Sequence, residues 1–158
     1  MGAIFYKEIQ IMVKLSDHFT LEELVESDYA KKNNIENAFT IDNVHAIQEL
    51  ITELLEPFRQ FYGKPIRVTS GFRCEALNKA LGGVKTSAHL KAAADIQPIK
   101  MTDANWKEFV ECMQRFINEK KPKFDEILTE TSKTSKWIHV AYKSIKGLQR
   151  QKNFDLKV

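Results

Sequence analysis

Asp95 stands in the run Ala92-Ala93-Ala94-Asp95-Ile96, with apolar residues on both sides. A carboxylate drawn into a core by such neighbours must be paired, hydrogen-bonded or metal-bound, because an isolated buried charge costs too much to keep. The fold therefore has to bring partners to it from elsewhere in the chain. Two histidines are placed to serve. His89 lies in Ser87-Ala88-His89-Leu90-Lys91, after Gly82-Gly83, and His139 lies in Trp137-Ile138-His139-Val140. Either histidine alone reads as a structural residue, His139 because Ile138 and Val140 point to the opposite face of a strand. Together, two imidazoles and one carboxylate form a donor set suited to zinc. That ion takes nitrogen and oxygen at ~2.0–2.2 Å and keeps a fourth position open in catalytic sites.

Composition narrows the class. A length of 158 residues suits one domain with a real core. The hydrophobic share of 43% and charged share of 28% are ordinary for a soluble globular chain. A net charge of +3 favours approach to an anionic polymer but is too small to argue for nucleic acid. Cys74 and Cys112 form no CxxC, which favours two free thiols in a reducing cytosol over a disulfide between them. Lys7, Glu8 and Gln10 interrupt the apolar residues of positions 1–13. That stretch is too short and too charged to span a membrane, and no small-residue cleavage site follows it. The expectation is a monomer made in the cytoplasm, which would meet a substrate outside the membrane only after export or lysis.

Thr20 followed by Glu23 predicts a capped short helix over 20–26. Val44, Ile47, Ile51, Leu54, Leu55, Phe58 and Phe61 form one apolar stripe at helical spacing. Pro57 should kink that helix or end its regular hydrogen bonding, and Gly63 should stop it. A strand is predicted over 65–69, a short helix over 75–81, and a third helix over 103–117, capped by Thr102. Two strands, 124–129 and 136–142, finish the domain around a polar turn at 131–135. Helices first and strands late give an α+β class with a small, largely antiparallel sheet.

The segments Ser70-Gly71-Phe72-Arg73, Asn78, Gly82-Gly83, the stretch 87–95 and Trp137-Ile138-His139 occur in that order. This ordered set resembles the zinc D-Ala-D-Ala carboxypeptidases and phage endolysin peptidases of the M15 group, which share the Hedgehog/DD-peptidase fold. Leu15-Ser16-Asp17-His18-Phe19-Thr20-Leu21-Glu22-Glu23-Leu24 is similar to the start of its single-domain, phage-type members. The resemblance implies a peptidase domain over 14–142, flanked by an N-terminal extension (1–13) and a basic C-terminal tail (143–158). It implies His89, Asp95 and His139 as ligands of Zn2+, which would activate a water to hydrolyse a peptidoglycan stem peptide. Arg73 would grip a substrate carboxylate at one end of the cleft, and Ser87 would hydrogen-bond near the metal loop. For the general base, relatives often carry a carboxylate three residues before the last histidine, but Lys136 stands there. Glu130 is the expected substitute and Glu126 the second choice, since both share one face of a regular strand. His18 and His45 are assigned to structure or surface.

One spacing departs from the pattern. His89 to Asp95 is six residue steps where the family has seven, and the usual glycine after Lys91 is missing. If the loop before Ala92 absorbs the difference, Asp95 still reaches the metal. If the loss falls in extended chain, the carboxylate turns to the other face. The second outcome would leave a metal-free module that binds cell wall or a phage structural protein without cutting. A further alternative is an interaction protein that docks a partner through its basic stretch 143–157.

Overall fold

Thr20 opens the first helix. Its side chain accepts the Glu23 N–H and the Glu23 carboxylate accepts the Thr20 N–H, which closes a capping box. In the computed structural model, which describes residues 12–153 and 156–158, this helix, α1, spans Leu21–Val25. Residues 1–11 of the expected N-terminal extension and 154–155 of the expected tail lie outside the described residues. Ser27 caps a second short helix, α2 (Asp28–Lys32), which the sequence reading did not predict because five residues hold too little apolar periodicity.

The stripe over residues 44–61 is one helical rod with a widened turn inside it. It runs through α3 (Ile41–Leu50), a π-helical turn (Ile51–Leu55) and α4 (Glu56–Tyr62). Pro57 explains the turn. It has no N–H for the carbonyl one α-turn back and its ring crowds that carbonyl, so the helix widens to i→i+5 bonding. The Glu56 N–H accordingly reaches the Ile51 carbonyl. Gly63, at φ 74°, ends the rod in the left-handed conformation that glycine adopts freely.

Four strands form one sheet: β1 (Ile66–Ser70), β2 (Ala93–Pro98), β3 (Glu126–Thr131) and β4 (Lys136–Ala141). Their order is β1-β2-β4-β3, and every neighbouring pair is antiparallel. β2 was not predicted, because alanine carries little strand preference; burial on both faces makes it a strand. β3 starts two residues later than expected, since the Phe124 N–H turns to the Gln151 side chain and the Asp125 carboxylate to Arg150. Thr131, expected in the turn, pairs with Lys136.

Alternation sends Ala94, Ile96, Ile127, Ile138 and Val140 to one face, where they are buried in the core. The short α5 (Glu75–Ala80) precedes β2, and α6 (Asp103–Lys120) follows it. Thr102 caps α6 by accepting the Asn105 N–H. α6 continues three residues beyond the expected end, and Trp106, Phe109, Val110, Met113 and Phe116 are buried along it. Phe58 of α4 meets Phe109 and Phe116 at ring distances of 5.5 Å, which locks the rod to α6. The result is an α+β fold, as expected. Past β4 the chain returns along β3: the Lys152 N–H donates to the Asp125 carbonyl, and the Ile127 N–H to the Lys152 carbonyl. Cys74 and Cys112 are both free thiols. Among the described residues no helix is long and apolar enough to cross a membrane.

Candidate metal centre and cleft

The sheet face turned away from the helices carries the polar residues. Asp95 of β2 lies directly opposite His139 of β4, and His139 opposite Leu128 of β3. Residues opposed in an antiparallel pair share a face, so this register puts the carboxylate and the imidazole side by side. Glu126, Glu130 and Trp137 share the same face by alternation. His89 arrives from a 3₁₀ turn (Ala88–Leu90) that leads into β2. Its carbonyl accepts the Arg73 N–H, and its Nδ1 lies 2.7 Å from the Gly71 carbonyl oxygen. A carbonyl only accepts, so Nδ1 carries the proton.

That assignment leaves His89 Nε2 facing Asp95, 3.4 Å from Oδ1. Nδ1 of His139 stands 3.0 Å from the same oxygen. All three residues are buried, and one donor atom from each lies within 4.8 Å of the others. Two ligands at ~2.1 Å from a tetrahedral ion stand ~3.4 Å apart. The spacing, the nitrogen and oxygen donors, and the backbone bond that fixes the His89 tautomer all fit zinc.

The shortened spacing falls in the turn and not in the strand. Leu90, Lys91 and Ala92 donate back to Ser87 and Ala88 in tight turns, and β2 begins only at Ala93. None of the positive-φ residues falls between His89 and Asp95, so the chain makes this connection without the glycine.

The electrostatics bind the group together. Burial alone would raise the Asp95 pKa, but hydrogen bonds and charge from His139 and His89 hold it well below the carboxylate range. Burial alone would lower the His139 pKa, but Asp95, with Glu130 and Glu126 nearby, raises it above the ordinary histidine value.

A cleft of about 700 Å³ opens over these residues, and Arg73, Ser87, Glu126 and Glu130 line it. The Arg73 guanidinium donates to the Ser70 hydroxyl at 3.0 and 3.1 Å and lies 3.6 Å from Asp95 Oδ2. Burial lowers its pKa, against the charges of Asp95 and Glu130. The Ser87 hydroxyl accepts the His89 N–H and caps the turn. Glu130 Oε2 accepts the Trp137 Nε1–H at 2.9 Å. Glu126 is held by Arg150 at 2.7 Å, with its second oxygen 3.9 Å from His139 Nε2. Lys136 is on the opposite face, its ammonium 5.4 Å above the Trp106 ring. His18 pairs with Glu56 at 2.8 Å, and His45 is exposed. The sequence reading missed Arg150, whose neighbours in sequence carry no motif; only the return of the chain along β3 brings it to the cleft.

Comparison with the curated proteins gives no match. A family model described as Peptidase M15 matches residues 17–141, a span that contains all three members of the His–Asp–His group, and the chain belongs to that family.

Proposed function

We propose that the chain is a zinc-dependent peptidase that hydrolyses peptide bonds in peptidoglycan stem peptides, of the D-Ala-D-Ala or the L-Ala-D-Glu type. The observation that carries this reading is the buried trio His89, Asp95 and His139, whose donor atoms converge within 4.8 Å at the floor of a cleft. His89 would bind through Nε2, His139 through Nδ1, and Asp95 through its carboxylate. The chemistry a zinc ion would supply there is that of a Lewis acid, able to activate water and polarise a carbonyl.

The chain's own groups do the rest. Glu130 takes the proton from the attacking water and delivers it to the leaving amine. The Trp137 N–H holds one of its oxygens in place and leaves the other to carry the proton. Glu126 is less suited, because Arg150 and Lys152 both pair with its Oε1. Arg73, oriented by Ser70, offers a guanidinium fork to a substrate carboxylate, which stem peptides supply at D-Glu and at their C-terminus.

The test is zinc content together with digestion of purified peptidoglycan. The expected result is about one zinc per chain, lost in His139→Ala, with stem-peptide fragments whose masses identify the bond cut. A native chain that takes up no zinc even when it is supplied would overturn the proposal.

A further inference from the structure

Arg150 lies beyond the residues matched by the family, 17–141, yet it is bonded to the neighbourhood of the metal group. After β4 the chain turns, with the Ser144 N–H bonding to the Leu148 carbonyl, and comes back beside the start of β3. There Arg150 meets two consecutive carboxylates. Its Nε donates to Asp125 Oδ1 and its Nη2 to Asp125 Oδ2, both at 2.7 Å. The same Nη2 donates to Glu126 Oε1 at 2.7 Å. Asp125 is fully buried, so the fork is anchored on a partner enclosed by the core, and a guanidinium held by two parallel bonds has little freedom left.

Glu126 is thereby fixed at one oxygen, and its other oxygen faces His139. The 3.9 Å from Glu126 Oε2 to His139 Nε2 puts a carboxylate at the ring nitrogen that does not face Asp95. Once a metal takes the Nδ1 lone pair, the ring keeps its proton on Nε2, where the Glu126 carboxylate faces it. Without Arg150, Oε1 would keep the longer 3.9 Å pair with Lys152, a looser hold on a side chain that lines the cleft.

We infer that Arg150 is a positioning residue for the metal centre: by clamping Asp125 and Glu126 it holds Glu126 against His139 and so raises the zinc affinity of a site it does not touch. This rests on the zinc reading above. It makes the segment after β4 part of the working site. Because Arg150 acts through Glu126, removing both should cost no more than removing Glu126 alone.

The test titrates metal-free protein with zinc against a chromophoric chelator, for the native chain, Glu126→Gln, Arg150→Ala and the double variant. Thermal melts of the metal-free proteins run alongside to show that each is folded. Loss of an outer partner of a ligand histidine typically weakens metal binding ~10–100-fold, and that loss is expected for Glu126→Gln. Arg150→Ala should weaken zinc binding as well, and the double variant should be no weaker than Glu126→Gln. Zinc affinity in Glu126→Gln within twofold of native would overturn the inference. So would an Arg150→Ala effect that persists undiminished in the Glu126→Gln background. If Arg150→Ala does not fold, Arg150→Lys, which keeps the charge but loses the fork on Asp125 and Glu126, takes its place, and native zinc affinity in it would overturn the inference. A native chain that binds no zinc would sink the metallopeptidase reading and this inference together, whereas native binding that neither variant alters would sink this inference only.

Discussion

Gly71 shows how one residue serves both packing and the site. A Cβ there would overlap the Leu24 carbonyl, against which the chain packs so closely that the Phe72 N–H bonds the same oxygen at 2.6 Å. The Gly71 carbonyl in turn accepts the His89 Nδ1–H. Gly71→Ala should therefore destabilise the fold by about 1–3 kcal/mol, the usual cost of overpacking, read by urea unfolding, and should weaken zinc binding in the surviving protein. An unchanged unfolding midpoint would contradict this account. Glu130 makes the sharper chemical prediction. Glu130→Gln keeps the shape and the Trp137 contact but cannot take a proton. It should lower kcat by roughly 10²–10⁴, the range for loss of a general base, while the zinc content stays native. At this scale the sequence was legible where chemistry is costly to misplace: the run around Asp95 required partners, and His89 and His139 are those partners. It was not legible at Glu126 and Glu130, two carboxylates on one strand face whose difference is made by Arg150 and by Trp137.

The register of β2 against β4 and the turn before it together decide whether the His–Asp–His group forms. Asp95 faces His139 because β2 begins at Ala93 and is paired without interruption through Ile96. A glycine inserted between Lys91 and Ala92, which restores the family spacing, enters the connection between the 3₁₀ turn and β2 and should leave zinc binding close to native. One residue inserted between Ala94 and Asp95 enters the strand, sends Asp95 to the opposite face, and should abolish zinc binding. Equal zinc affinity in the two insertion variants would show that register is not the controlling feature. The rod of α3, the π-turn and α4 makes a separate prediction about stability. Phe58 is 1% exposed and packs on Phe109 and Phe116, so Phe58→Ala should cost about 3–5 kcal/mol of unfolding free energy. The sequence foretold the rod's stripe, its disturbance at Pro57 and its end at Gly63, since each follows from local backbone chemistry. It did not foretell the form of the disturbance, because a π-turn and a kink both relieve the same proline.

The whole molecule is a sheet with a helical core on one face and a polar cleft on the other, and the segment after β4 joins the cleft to the sheet edge. The pH dependence of stability should report that junction. Burial alone would raise the Asp125 pKa, but the hydrogen bonds and charge of Arg150 hold it below the ordinary carboxylate value. A depressed folded-state pKa contributes stability that is fully present above the unfolded value of about 3.9 and is lost as pH falls through the lower folded value. Native protein should therefore be more stable than Arg150→Ala at neutral pH, and the gap should close as pH falls below about 4. A gap that stays constant down to pH 2 would assign the effect to packing. The sequence by itself determined the α+β class, most of the elements, and three ligand candidates set in chemically recognisable surroundings. Those properties follow from periodicity, capping and the cost of burying charge, all of which act over a few neighbouring residues. Only the tertiary structure decided that the short turn still brings Asp95 beside His89 and His139, that β2 is a strand, and that Arg150 reaches back to Glu126. Strand register and chain return are set by contacts between residues far apart in sequence, and no local pattern encodes them.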